Sequence, residues 1–259
     1  MALRMSQMLR SSRQARHLPP STPAPAEPPP PPPPEAEAGG LLQTPAVAVE
    51  TPQDPPPVAD IESPQVSDNP AGAVYDELAE AAASIFAAAE SETAPDAPTV
   101  VAAVRRALAS LKEGDELPTE TVRCRAEADS WSRRSANVAV MAMRLGRAIA
   151  FDERRNLALG LCGLMHDLGM LCVPEEVLNV NRLSPEQLSQ LREHPAHSQR
   201  IVRTFGKAFD WIPKVVVQVR ERHDGSGYPK GLTGEEIHEF ARIIGLVDTY
   251  EAMAQPRAD

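Results

Sequence analysis

The chain has 259 residues, of which 42% are hydrophobic but only 4% aromatic, with 27 prolines and a formal charge of −10 from 26 basic and 36 acidic side chains. That length allows one mid-sized domain with extensions. The acidic balance argues against nonspecific binding of nucleic-acid polymers, and no apolar run reaches the roughly eighteen residues that a membrane-spanning helix needs.

In chain order, the first regime is proline. Eighteen of the 27 prolines lie before residue 71, including the unbroken run Pro28 to Pro34, and no aromatic residue accompanies them. Such a segment cannot offset the ~1–2 kcal/mol per residue that backbone ordering costs. Residues 1–72 are therefore expected to be a disordered Pro-rich arm with local polyproline II, acting as a spacer. Arg4, Arg10, Arg13 and Arg16, with serines and no acid, give its first sixteen residues the composition of a basic arm or a transit peptide. The arm is preferred, because no apolar stretch of signal length follows.

From Val74 onward apolar residues recur at helical spacing and alternating runs are scarce, so the ordered part is expected to be all-α. Leu78, Ala82, Ile85 and Phe86 form one stripe before the Pro95/Pro98 break. Val101, Val104, Leu108 and Leu111 form a second, stopped at Gly114. These helices make a lead-in over residues 73–123, and the main domain follows over 124–259. A helix from near Ser132 to Ile149 carries Val138, Met141, Leu145 and Ile149 on one face, and Asp152 caps the next. That next helix is apolar almost all round between Leu157 and Met165, the mark of a central helix.

The central helix ends in the charged pair His166-Asp167, before Gly169 and Pro174. Ser184, followed by Pro185 and Glu186, starts another helix that stops before Pro195. Further helices are predicted from Ala196 to about Phe205, from Ile212 to about Arg222, and from Gly234 or Glu235 to Ala254. On the last, Ile237, Ala241, Ile244, Val247, Asp248 and Glu251 share one side, so Asp248 is an acid within an apolar stripe. An unpaired buried carboxylate is costly, and Asp248 should meet a cation or a metal.

An imidazole and a carboxylate at the end of a buried helix offer a metal corner. Alone, His166-Asp167 is more often a hydrogen-bonded helix-end pair. His194 on a short helix, Asp248 and the turn "DGSGYP" together suit a hard-cation site for phosphate esters. In that turn, Gly225 and Gly227 allow positive φ and close approach to a ligand, and Pro229 stiffens the exit. His197 and His238 are expected at the surface. The three cysteines, Cys124, Cys162 and Cys172, are odd in number and form no C-x-x-C pair, which fits reduced thiols in a cytoplasmic setting.

Taken together, "LMHDLGMLCVPEEVLN", "LREHP", "ERHDGSGYPKGL" and "ARIIGLVDTYEAM" resemble the successive signatures of the HD-GYP family, bacterial HD-superfamily phosphodiesterases that hydrolyse cyclic di-GMP. The resemblance covers roughly residues 130–259. It implies an HD-superfamily helical bundle, a cluster of iron or manganese ions, a cyclic dinucleotide substrate, and signalling proteins as partners. Residue by residue, it makes His166 and Asp167 metal ligands, with Asp167 bridging two ions as the catalytic carboxylate. His194 then ligates the second ion and Asp248 closes the set. The turn Gly225, Gly227, Tyr228 and Pro229 is the signature that gives the family half its name, and falls to the substrate.

Several positions depart from the family pattern. Arg134 stands where the family opens its site with a histidine, Met170 replaces a lysine, and Val219 and Arg220 replace two histidines, leaving Glu221 of that trio. His223 falls on a different position of the motif. Arginine stays protonated and donates no lone pair to a metal. Arg134 and Arg220 are therefore expected to pair with Asp167 and Asp248 in space that ions fill in relatives, impairing catalysis. The opposing reading keeps one ion on His166, Asp167 and Asp248 to activate water and gives Arg134 or Arg220 to a phosphodiester. A catalytically inactive nucleotide-binding or protein-interaction module is the competing class. Family domains also continue for several helices beyond "DTYEAMAQPRAD", so the domain is expected to be C-terminally incomplete.

Overall fold

The computed structural model describes residues 70–114, 116–123, 130–178, 180 and 182–254. Residues 1–69 of the expected Pro-rich arm and Cys124 lie outside them, while the arm's last three residues, 70–72, open the first helix. Ten α-helices order the described chain: α1 (Pro70–Glu90), α2 (Ala97–Glu113), α3 (Glu116–Arg123), α4 (Trp131–Ala148), α5 (Glu153–Met165), α6 (Glu175–Leu178), α7 (Pro185–Leu191), α8 (His194–Thr204), α9 (Pro213–Val216) and α10 (Glu239–Ala254). Short 3-10 turns occupy Leu168–Cys172, Lys207–Phe209 and Gly234–Glu236. Among the described residues the sheet content is one isolated bridge, Asp224 to Thr233, and the fold is all-α. No described helix is long and apolar enough to cross a membrane.

Local chemistry sets the helix starts. Asp96 accepts from Thr99 N at the head of α2, Ser130 from Arg133 N at α4, and Asp152 from Arg155 N at α5. Each side chain satisfies a backbone donor that the first turn leaves unpaired. Ser184 heads α7 in a reciprocal box with Gln187, the hydroxyl accepting from Gln187 N while Ser184 N donates to Gln187 Oε1.

The core is continuous from α1 to α10. Tyr75, Leu78, Ile85, Val104, Leu111, Met143, Leu159, Leu164, Ile212 and Ile244 belong to one buried cluster, so the first two helices share their interior with the helices that follow. α5 runs through its middle, which is why it is apolar on nearly every side. α4 differs from expectation. Its buried residues are the run Ser135 to Val140 with Ala142, Met143 and Gly146, whereas Ile149 is 49% exposed. A single stripe is insufficient because α4 packs on α1, α5 and α10 at once.

Three helix boundaries also move. α8 begins at His194, with Pro195 in the first turn where its missing N–H costs nothing. The expected helix from Ile212 to Arg222 shrinks to Pro213–Val216. Gln218 N, Val219 N and Glu221 N then bond three residues back, to Val215, Val216 and Gln218, which winds the chain into tight turns. The last helix starts at Glu239, since Gly234–Glu236 is a separate turn closed by Thr233 and Glu236.

Candidate active site

α5 delivers His166 and Asp167 at its C-terminal end. The chain turns at once into Leu168–Cys172, which packs on α8. Gly169 makes that contact possible: Gly169 N donates to Ser198 Oγ at 2.8 Å, and a Cβ at this position would overlap the backbone of His194 and Ser198. α8 is thereby held with His194, its first residue, beside Asp167. α10 supplies Asp248 from its buried side, and the tight turn after α9 supplies Arg220.

These side chains meet in one pocket. His166 Nδ1 donates to Gly163 O at 2.8 Å and His194 Nδ1 to Leu191 O at 2.7 Å, so both imidazoles aim Nε2 inward. His166 Nε2 lies 3.4 Å from Asp167 Oδ2 and 3.5 Å from Asp248 Oδ1, buried and without a hydrogen-bond partner of good geometry. Arg220 faces the second oxygen of Asp248 and both oxygens of Asp167, lying 3.3 Å from Asp167 Oδ2 through Nη2. Its Nη2 is 3.2 Å from Asp167 Oδ1, its Nη1 donates to Asp248 Oδ2, and its Nε donates to His194 Nε2 at 3.2 Å. His194 Nε2 is 3.6 Å from Asp167 Oδ1.

The two carboxylates thus stand between His166 on one side and Arg220 with His194 on the other, with Asp167 Oδ2 shared by His166 and Arg220. Burial alone would push the His166 pKa down, but the Asp167 and Asp248 carboxylates raise it to about 10. Burial would raise Asp167, yet His166 and Arg220 hold it well below the usual carboxylate range. Burial depresses the pKa of His194 and Arg220 adds to that, and its Nε2 lone pair accepts from the guanidinium. Arg220 itself resists the cost of burial because Asp167 and Asp248 raise its pKa further.

Those facts test the fit of metal. On the His166 side, one ligand atom each from His166, Asp167 and Asp248 lie within 4.8 Å of one another, all buried, a donor set that suits one divalent ion. On the other side a second ion does not fit, because Arg220 already occupies His194 Nε2, one oxygen of Asp248 and both oxygens of Asp167. A permanent cation there would repel it.

The remaining predicted residues fall around this centre. Arg134 is half-buried with its guanidinium 5.0 Å from the Trp131 ring centroid; the expected pairing with Asp167 or Asp248 is not made among the described residues. A residue three positions along α4 shares the Trp131 face, and the ring captures it. Val219 is buried in the core. Glu221 accepts from Lys230 N at 2.7 Å and Leu232 N at 2.9 Å, so both its oxygens clip the Gly-Tyr-Pro turn closed.

Within that turn Gly225 has φ +79°, as expected. Gly227 does not take positive φ. A Cβ there would strike the backbone of Arg220, Glu221 and Arg222, so its smallness lets the turn fold back on its own chain, not onto a ligand. Tyr228 N closes the loop on Arg220 O at 3.1 Å, and the Tyr228–Pro229 peptide is cis. The Tyr228 ring stands edge-on to His194 with centroids 6.2 Å apart, under the guanidinium of Arg192, and burial raises its pKa. His223 is exposed, whereas His197 and His238 are half-buried. Arg192 over Tyr228 had no sequence signal. Glu251 had one: like Asp248, it is an acid in the apolar stripe of α10.

Residues 123–259 match a family described as HD domain, and with the His-Asp pair and Gly-Tyr-Pro turn built around one pocket, the chain belongs to that family in its HD-GYP branch. The chain is 31% identical over 124 residues to Cyclic di-GMP phosphodiesterase PA4108 of Pseudomonas aeruginosa, covering 48% of this chain and 30% of that protein. It is 33% identical over 127 residues to 3'3'-cGAMP-specific phosphodiesterase 1 of Vibrio cholerae, covering 48% and 28%. Cyclic di-GMP phosphodiesterase response regulator RpfG of Xanthomonas campestris is 28% identical over 164 residues, covering 59% and 42%. The chain therefore spans less than half the length of these relatives. Among solved structures, Bd1817, a HDG"Y"P protein from Bdellovibrio bacteriovorus, shares the fold with a TM-score of 0.60 at 17% identity, over 71% of this chain and 60% of that one.

Proposed function

We propose that this domain is a cyclic di-GMP-directed phosphohydrolase of reduced capacity, in which Arg220 takes the place of a second cation. The observation that carries the reading is the bridge from Arg220 to Asp167, Asp248 and His194. One iron or manganese ion would be held by His166, Asp167 and Asp248, and would activate water and offset phosphate charge when bound. The chain's own residues do the rest. Asp167 orients toward both halves of the pocket, Arg220 supplies a fixed positive charge, and Tyr228 with Gly225, Gly227 and Pro229 shapes the mouth where a dinucleotide would lie. Arg134, clear of the carboxylates, is a further phosphate contact. A cytoplasmic setting with signalling proteins as partners follows from this reading.

Two relatives named for cyclic di-GMP and one named for 3'3'-cGAMP support a cyclic dinucleotide as the ligand class. A second reading, a nucleotide-binding module without turnover, is favoured by one observation: the guanidinium of Arg220 pairs with both Asp167 and Asp248 and so offsets their charge with a side chain of the chain itself. Elemental analysis of the purified chain and turnover of cyclic di-GMP with added Mn²⁺ separate the two. The first reading expects one ion per chain and slow hydrolysis abolished by Asp167→Ala, with Arg220→His raising both metal content and rate. Two tightly bound ions in the wild-type chain would refute the role given to Arg220. Nucleotide binding without hydrolysis selects the second reading.

A further inference from the structure

A buried polar chain runs from the first helix to the last. Tyr75 of α1 donates its hydroxyl to Asn137 Oδ1 at 2.6 Å, and Asn137 Nδ2 of α4 donates to Glu251 Oε1 of α10 at 2.7 Å. Tyr75 is 1% exposed, and Asn137 and Glu251 are both 0% exposed. The two hydrogen bonds fix the amide: its carbonyl must face the phenol and its NH₂ the carboxylate. In so dry a place each bond is strong, and each broken one leaves a costly orphan.

Glu251 follows Asp248 by three residues on one helix, so both project from the same face about one turn apart. The opposite face of α10 carries Leu246 and Met253, 64% and 70% exposed. Rotation of α10 about its axis therefore moves Asp248 relative to His166 and Arg220. Glu251 resists that rotation by its bond to Asn137, which Tyr75 holds in turn.

We propose that Tyr75, Asn137 and Glu251 form a positioning relay through which α1 sets the rotation of α10 and the placement of Asp248. Tyr75 lies outside residues 123–259, the span of the HD domain match, so the relay makes the pocket depend on a helix that precedes the matched span. The functional readout rests on the one-ion reading of His166, Asp167 and Asp248, while the structural readout does not.

The test uses the full chain and compares Tyr75→Phe, which removes only the hydroxyl, with Ile85→Val, which trims a fully buried side chain of the same helix away from the relay. Amide hydrogen exchange across α10 and Mn²⁺ affinity by calorimetry are measured for both. The relay predicts several-fold faster exchange around Asp248 in Tyr75→Phe alone. It also predicts Mn²⁺ binding weakened by about tenfold, as for lost outer partners of metal ligands, with Ile85→Val unchanged. Equal effects of the two variants, or none from Tyr75→Phe, would overturn it and leave Tyr75 as ordinary packing. If the wild-type chain takes up no Mn²⁺, the one-ion reading fails by itself, and the exchange comparison still decides the relay.

Discussion

At the scale of single residues, Arg220 is the decisive side chain. Its side chain is 24% exposed while those of the two aspartates it bridges are at most 5% exposed, so the ion pairs are largely shielded from water. Breaking a buried ion pair by removing one partner costs about 3–5 kcal/mol, because the remaining charge is left uncompensated. Arg220→Ala should therefore lower the melting temperature of the metal-free chain sharply. Added Mn²⁺ should restore it, since the vacated side then has His194 Nε2 and two carboxylate oxygens to offer. A variant that melts like wild type without metal would show that Arg220 carries no such load. Glu221 teaches a related lesson, for a carboxylate beside a signature motif can serve backbone N–H groups with both its oxygens.

At the scale of elements, the site depends on how Leu168–Cys172 seats against α8. Gly169 has the backbone of His194 and Ser198 where a methyl group would go. Overpacking a close contact of this kind typically costs 1–3 kcal/mol, roughly, and shifts one element against the other. Gly169→Ala should lower the melting temperature and, by moving His194 off Arg220, change the His194 ring resonances in an NMR spectrum. Unaltered His194 signals would show that α8 is placed by other contacts. The helix that contracts to Pro213–Val216 belongs here too. Its apolar spacing read as a longer helix, but bonds three residues back tighten residues 218–221, and that winding turns Arg220 toward the pocket while Val219 enters the core.

At the scale of the whole molecule, the pocket links stability to pH. The pKa of His166 rises from 6.5 to about 10 on folding, so its contribution is complete below pH 6.5 and is lost as pH climbs through 10. Asp167 is depressed below 3.8, so its contribution is complete above that value and is lost as pH falls through the depressed one. His194, His197 and His238 are depressed and act in the other sense, destabilising the fold as pH falls below 6.5. Comparison of the metal-free wild type with His166→Gln cancels them. The gap in unfolding free energy between the two should be widest below pH 6.5 and narrow toward pH 10. A gap that is flat across that range would mean that His166 is not held charged by the two carboxylates.

The amino-acid sequence determined the all-α class and the capped starts of α5 and α7, because these rest on local rules of capping and 3.6-residue periodicity. The cost of placing an acid in an apolar stripe marked Asp248 as needing a cation. That His166, Asp167, His194 and Asp248 share one pocket was legible only through the resemblance of their motifs to the HD-GYP family. The sequence also pointed to Arg220 as a partner for the aspartates. Tertiary structure decided the rest. Arg134 went to Trp131, Glu221 went to the Gly-Tyr-Pro turn, and Tyr75 reached Glu251 through Asn137 across three helices. Each of those outcomes depends on which side chains arrive at a shared point from distant parts of the chain, and spacing along one segment carries no information about what packs against it.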